Sequence, residues 1–207
     1  ELTRRNIPFS ITSGIRFFEQ PHIKDLAAYL KLVVNPRDEL SFKRIVQLLP
    51  GIGAKGAAKL WHSFHATLPE AEIRNPKPET TPKSEVRSPK SEEPTRNAQH
   101  ATRSPLATAL QKLAPAVPKK AATAWAQLAA TMAQLEADEV RGDASAMIRL
   151  VIEAGYEDHL KESYANYRSR LEDLQQLATF AEQFEDLNDF LTQLALLTNV
   201  EAEQEQP

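Results

Sequence analysis

PHIKDLAAYLKLVVNPRDELSFKRIVQLLPGIGAKGAAKLWHSFH, residues 21–65, carries the pattern on which the fold turns. Ile23, Leu26, Ala27, Leu30, Val33 and Val34 recur at the spacing of one helix face and leave Lys24, Asp25 and Lys31 outside it. This predicts a helix from about His22, with Pro21 near its first turn and a stop at Asn35-Pro36. Leu40, Phe42, Ile45, Val46 and Leu49 predict a second helix from about Glu39 to Leu48. It runs into Pro50-Gly51-Ile52-Gly53, and a third helix follows from about Lys55 to His65.

Towards the N-terminus, Ile7 to Thr12 reads as a short extended segment, because Pro8 restricts its neighbour and β-branched residues alternate after it. Ser13-Gly14 then supplies a turn. Towards the C-terminus, nine of the fourteen prolines fall between Pro69 and Pro118. Glu72 to Pro105 has almost no large apolar side chain beyond Ile73 and Val86, so it cannot offset chain entropy by burial and reads as a flexible linker or insertion. Helical spacing then resumes in a short helix with Leu106, Leu110 and Leu113 and a longer one from Ala121 to about Ala137. An apolar helix through Met147 and Ile152 ends at Gly155, and two last helices are marked by Leu171 to Phe184 and Leu187 to Leu197. The expected fold class is all-α: a multi-helix bundle with a helix-hairpin-helix element, a short N-terminal extended segment and a flexible Pro-rich insertion.

The 207 residues contain no cysteine, which excludes disulfides, thiolate nucleophiles and cysteine-bound metal. No run of about 18 apolar residues appears, and the opening ELTRRNIPFS lacks a signal-peptide pattern, so a soluble, cytoplasmic protein is expected. The net charge of -3 is unevenly spread. Residues 1–71 hold ten Lys/Arg against six Asp/Glu, residues 72–105 seven against five, and residues 106–207 eight against seventeen. A polyanion would therefore be met by the first part, unless the charges are simply solvated faces.

Three of the six glycines lie within Gly51-Ile52-Gly53-Ala54-Lys55-Gly56. Glycines between two helices permit a tight turn and let backbone N–H groups at the next helix N-terminus approach a phosphate. Lys55 and Lys59, one helical turn apart, would add charge beside the same phosphates, and such contacts carry no base information. The alternative is a compact helix-helix turn with Ile52 buried. A second cluster, Arg16-Phe17-Phe18 with Lys24, could stack on nucleobases or make an interdomain contact, although core packing is the commoner use of paired aromatics. His62 and His65 lack the further ligands of a zinc site, Tyr156-Glu157-Asp158-His159 reads as a helix start or loop, and Glu182, Glu185, Asp186 and Asp189 read as a solvated face. No catalytic set and no metal site is predicted.

The stretch from Ile7 to Val46, together with the glycine turn, resembles the UvrD/Rep/PcrA-type superfamily 1 DNA helicases. The elements that carry the resemblance are Ile7-Pro8-Phe9, Gly14-Ile15-Arg16-Phe17-Phe18-Glu19, His22-Ile23-Lys24-Asp25, Ala28-Tyr29-Leu30, Asn35-Pro36-Arg37-Asp38-Glu39 and Gly51-Ile52-Gly53, in that order. Further on, Ser169-Arg170-Leu171-Glu172-Asp173-Leu174 is similar to the family's S-R-L-E-N-L, and Phe190-Leu191 through Ala195-Leu196 to its F-L-x-x-x-A-L. His22 stands where the family has Glu, Asp173 where it has Asn, and Leu49-Pro50 where some relatives place a basic pair.

The resemblance implies the end of the 2A subdomain over residues 1–38, the first part of a helical 2B subdomain over 39–71, the insertion at 72–105 and the second part of 2B over 106–207. It implies a regulatory, duplex-DNA-binding subdomain of an ATP-dependent helicase acting in DNA repair or replication. Its partners would be double-stranded DNA near a single-strand junction and the motor subdomains of the same polypeptide. The parent would be cytoplasmic and nucleoid-associated when on DNA. ATP and Mg would belong to the parent alone, because these residues contain no G-x-x-x-x-G-K-[ST] loop, no D-E-x-Q-D element and no later arginine motif. The sequence then reads as an internal piece, inactive as an ATPase by itself. Two other readings stay open: a free-standing helix-hairpin-helix DNA-binding protein, and a helical module that docks a basic partner on its acidic C-terminal helices.

Overall fold

The computed structural model describes residues 17–68 and 104–203, with side chains placed through residue 198. The expected extended segment at residues 7–12, and the Pro-rich stretch up to residue 103, lie outside the described residues. Ser104 and Pro105, read above as the end of that stretch, instead open a helix, with Pro105 in the first turn where its missing N–H is not needed. Among the described residues the chain is helical and has no strand. No helix among them is long and apolar enough to cross a membrane.

α1 (Pro21–Val34) lies at the centre. Every residue from His22 to Val33 except Lys24 and Lys31 is buried, and the helix packs against α2 (Glu39–Val46), which follows it, and against four later helices. Asp38 starts α2 by accepting from the Ser41 amide at 3.0 Å and the Ser41 hydroxyl at 2.7 Å. α3 (Ala54–Thr67) folds back on α2, with Phe42 stacked on Phe64 at 4.5 Å and tilted against Trp61 at 5.3 Å. α4 (Pro105–Leu113) receives α3 and pairs with α5 (Ala122–Leu135), where the Trp125 indole donates to the Leu110 carbonyl at 2.8 Å. The buried Glu136 carboxylate closes the start of α4, accepting from the Leu106 and Ala107 amides at 3.2 Å each.

α6 (Ala144–Val151) does not run to Gly155 as its apolar pattern suggests. It opens into a wide turn over Ile152–Tyr156, where Gly155 takes φ 124°, and re-forms as α7 (Glu157–Ser163). Only glycine enters that region without strain, and the widened turn swings the Tyr156 side chain inward. α8 (Tyr167–Ala181) and α9 (Leu187–Glu203) complete the bundle, joined by Phe180, Phe184 and Phe190 in edge-to-face contacts of 5.1–6.2 Å.

Asp25 corrects the simple face pattern. Helical spacing puts it outside, yet it is 3% exposed. Its two carboxylate oxygens are taken by Arg44 Nε at 2.6 Å and by the Tyr156 hydroxyl at 2.6 Å, and Arg44 also donates to the Pro21 carbonyl at 3.1 Å. Burial and the adjacent Asp25 charge hold the Tyr156 phenol well above its ordinary pKa, so it remains a donor. A buried carboxylate persists only when charge and hydrogen bonds match it, and these two partners provide both.

His22, one helical turn before Asp25 in α1, is fully buried. Arg170 donates to its Nδ1 at 2.8 Å, and because arginine can only donate, the ring proton must sit on Nε2, which donates to Asp173 at 3.2 Å. The two departures from the family pattern are therefore partners. They meet across the α1–α8 contact in this chain, with His22 as donor and Asp173 as acceptor. The Arg170 guanidinium also lies 3.9 Å above the Tyr164 ring, which fixes it over α1.

Burial, followed by the facing Arg170 charge, lowers the His22 pKa. The folded state thus holds His22 neutral while the unfolded chain protonates it near pH 6.5, so the unfolded state takes up the extra proton on acidification and stability declines below about pH 6.5. Gln at position 22 would keep a donor and an acceptor without titrating. The fall in melting temperature between about pH 7.5 and about pH 5.5 should be smaller for His22→Gln than for the native chain. Equal falls in the two proteins would contradict the neutral, doubly bonded imidazole.

Candidate nucleic-acid interface

α2 ends in a stepwise turn: the Leu48 amide bonds to the Ile45 carbonyl, Leu49 to Val46 and Ile52 to Leu49, at 3.1–3.3 Å. Gly51 carries φ 80°, which L residues adopt only with strain, and this reverses the chain. Ile52 is buried at 5% exposure and plugs the turn into the core. Gly53 is extended and precedes α3 with no side-chain cap, and no acidic residue lies in the first turn. The first helical amide bonded inside α3 is that of Ala57, to the Gly53 carbonyl at 2.9 Å. Among the described residues the Ala54, Lys55 and Gly56 amides have no protein acceptor, and they form the positive end of a 14-residue helix.

Gly51, Gly53, Ala54, Lys55, Gly56 and Lys59 are all exposed, so the structure brings the predicted residues to one surface and buries only Ile52. A side chain at Gly53 would meet nothing within 4 Å, while one at Gly56 would touch Ile52 at 3.6 Å. The turn is therefore open where a ligand would approach. Behind it, Leu48, Leu49 and Pro50 share a cavity of 210 Å³ with Tyr29, Gly155 and Tyr156, so the base of the turn sits beside the Asp25 anchor.

The second cluster is divided. Arg16 lies outside the described residues. Phe17 and Phe18 are 0% and 2% exposed, edge-to-face at 5.0 Å, and Phe18 also meets Phe180 at 5.9 Å, so their rings serve the core. Lys24 is exposed, in a groove of 460 Å³ that also holds Lys31 and Arg44. Sequence reasoning missed Lys119 and Lys120. They are exposed before α5, and a Cβ on Gly51 would stand 3.7 Å from the Lys120 Cβ. Their sequence signal lies in a comparison of residues 113–125 with the glycine turn. His62 and His65 are exposed on α3, with the His65 ring 5.5 Å from Trp61. Glu182 pairs with Arg149 at 2.7 Å, and Asp186 accepts from the Asp189 amide at 2.9 Å.

Among the described residues, the helical bundle thus presents uncapped amides and lysines in no ion pair at a glycine turn, an arrangement chemically suited to an anion. The chain belongs to the family of the UvrD-like helicase C-terminal domain, whose model matches residues 1–206. It is similar to the ATP-dependent DNA helicase Rep of Buchnera aphidicola subsp. Baizongia pistaciae, 48% identical over 60 residues, 28% of this chain and 9% of that protein. The ATP-dependent DNA helicase PcrA of Bacillus subtilis is 40% identical over 60 residues, 28% of this chain and 8% of that protein. Rep of Escherichia coli is 49% identical over 45 residues, 22% of this chain and 7% of that protein. The matched stretches span less than a tenth of the length of these relatives.

The two turn glycines should behave differently on substitution. Gly51→Ala forces an L residue to positive φ and should cost about 1–2 kcal/mol. Gly53→Ala enters open space in extended backbone but puts a poorer capping residue at the start of α3, and should cost about 0.5 kcal/mol, less than Gly51→Ala. Urea midpoints measure both, and equal losses would contradict this geometry.

Proposed function

We propose that the chain is the 2B subdomain of an ATP-dependent DNA helicase, entered through a strip of 2A over about residues 1–38, and that it holds duplex DNA ahead of a single-strand junction. The observation that carries this reading is the uncapped start of α3, where free amides and the exposed Lys55 and Lys59 flank a turn that offers no side-chain obstruction at Gly53. That arrangement suits a phosphate oxygen, and the helix-hairpin-helix reading of α2 and α3 follows from it. Family membership supports the helicase context.

On this reading residues 39–71 and 106–207 are the two parts of 2B, with 72–105 inserted between them. α1, which falls in the first strip, shares its core with the later helices, so the division at residue 38 follows family pattern and not packing. ATP and magnesium would be bound by the motor subdomains, outside these residues. The parent would act in repair or replication in the cytoplasm, and duplex binding by 2B would bias an equilibrium between subdomain orientations without supplying chemistry.

The isolated chain should bind unrelated duplexes with similar, weak affinity and show no DNA-stimulated ATP hydrolysis. Lys55→Ala with Lys59→Ala should lower the slope of log affinity against log salt by up to about 1.8, since each phosphate neutralised contributes about 0.9. Fluorescence anisotropy across a salt series measures the slope. A folded double variant with unchanged affinity and slope would reduce the turn to a structural element. Duplex binding absent even at low salt would favour instead the docking of a basic partner on the acidic C-terminal helices.

A further inference from the structure

The hairpin formed by α2 and α3 has a degenerate second copy. Residues 49–61 read LPGIGAKGAAKLW and residues 113–125 read LAPAVPKKAATAW. At a constant offset of 64 positions (119 minus 55), Leu49 matches Leu113, Lys55 matches Lys119, Ala57 matches Ala121, Ala58 matches Ala122 and Trp61 matches Trp125.

Both copies occupy the same place in a helix–turn–helix unit, the first joining α2 to α3 and the second joining α4 to α5. The matched residues also play matched parts. Ala57 and Ala121 are both 0% exposed where the second helix meets the first. Trp61 and Trp125 are both buried, against Phe42 and against the Leu110 carbonyl respectively. Lys55 and Lys119 are both exposed. The two units are adjacent, since α3 packs on α4. Their turns meet directly, because the Lys120 side chain stands over Gly51, with its Cβ and Cδ 3.7 and 4.0 Å from where a Gly51 Cβ would lie.

The charge distribution points to a polyanion. Residues 106–207 hold eight Lys/Arg against seventeen Asp/Glu, yet two of those eight are adjacent at this junction. No acidic residue stands in the first turn of α3 or α5. Among the described residues, none of Lys55, Lys59, Lys119 and Lys120 is in an ion pair. The copies differ in their turns: the second runs through two short 3-10 turns, Ala114–Ala116 and Lys119–Ala121, so that Lys119 precedes its helix where Lys55 lies within α3, and Thr123 stands in the place of Lys59. Gly51 and Gly53 are replaced by Pro115 and Val117, and Pro118 brings no N–H, so the second turn offers cations without the open backbone of the first.

We infer that the two hairpins form one duplex-binding face, in which Lys119 and Lys120 neutralise backbone phosphates beyond those reached by Lys55 and Lys59. This rests on the duplex-binding reading above and extends it to a second, charge-only grip. Double-stranded DNA fits because it presents phosphate charge continuously along a rigid rod, which two adjoining turns can engage together. Contacts of this kind are indifferent to base sequence.

The test uses the full chain, a random duplex and a salt series. Four variants are compared: Lys55→Ala with Lys59→Ala, Lys119→Ala with Lys120→Ala, Lys119→Arg with Lys120→Arg, and a charge-matched reference, Lys31→Ala with Lys43→Ala, on α1 and α2. Each lysine-to-alanine pair within the hairpins should lower the salt slope by up to about 1.8, and combining them should lower it by about the sum. The arginine pair should keep the native slope and the reference pair should change it far less. If only the Lys55/Lys59 pair lowers the slope, the glycine turn binds DNA and the two-hairpin face is wrong. If neither pair does, the duplex-binding reading fails together with the extension. A reference pair that lowers the slope as much as Lys119→Ala with Lys120→Ala would reduce the effect to net charge and overturn the inference.

Discussion

The bundle depends on one buried carboxylate. Asp25 sits within α1, a helix enclosed on nearly every side, and a carboxylate there is tolerable only because Arg44 and Tyr156 meet it at 2.6 Å from two different elements. Arg44 belongs to α2, and Tyr156 to the widened turn between α6 and α7, so a single group on α1 ties both elements to it. Phe42, Ile45 and Val46 of α2 are buried in the core and set its register by packing. The short, charge-assisted bond from Arg44 to Asp25 adds a directional constraint to that packing. His22 repeats the device one turn earlier, towards α8, with Asp173 and Arg170.

That register decides where the glycine turn points. α2 leads directly into Leu48, Leu49 and Pro50, which share a cavity with Tyr29 and Tyr156 beside Asp25. With α2 pinned and Ile52 buried, Gly51 and Gly53 are left on the outside and the uncapped start of α3 faces solvent. The site is thus rigid at its base and open at its tip. The duplex-binding role proposed above would call for both properties.

Most of the helical architecture was legible because apolar residues recur at helical spacing and because Pro21, Asn35-Pro36 and Pro50-Gly51 punctuate it. The glycine turn was legible for the same reason, as a break in a periodic pattern with lysines beyond it. Asp25 was misread, since periodicity assigns a charged residue to the outer face and cannot see partners 19 and 131 positions away. The end of α6 was misread because Gly155 looks like a stop, whereas here it is a bend that lets the helix resume as α7. Lys119 and Lys120 were hidden inside an acidic segment after a Pro-rich stretch. Only the pairing of Trp61 with Trp125 and of Ala57 with Ala121 reveals that they repeat the first hairpin.

The central claim, that phosphate is held at the start of α3, is tested most directly by following backbone amide resonances of the chain during titration with a short random duplex at low salt. Binding there predicts that the largest shifts fall on Ala54, Lys55 and Gly56, with a second group at Lys119 to Ala121, and that both disappear as salt is raised. Shifts concentrated instead around Lys24 and Lys31, with the start of α3 unmoved, would contradict the account.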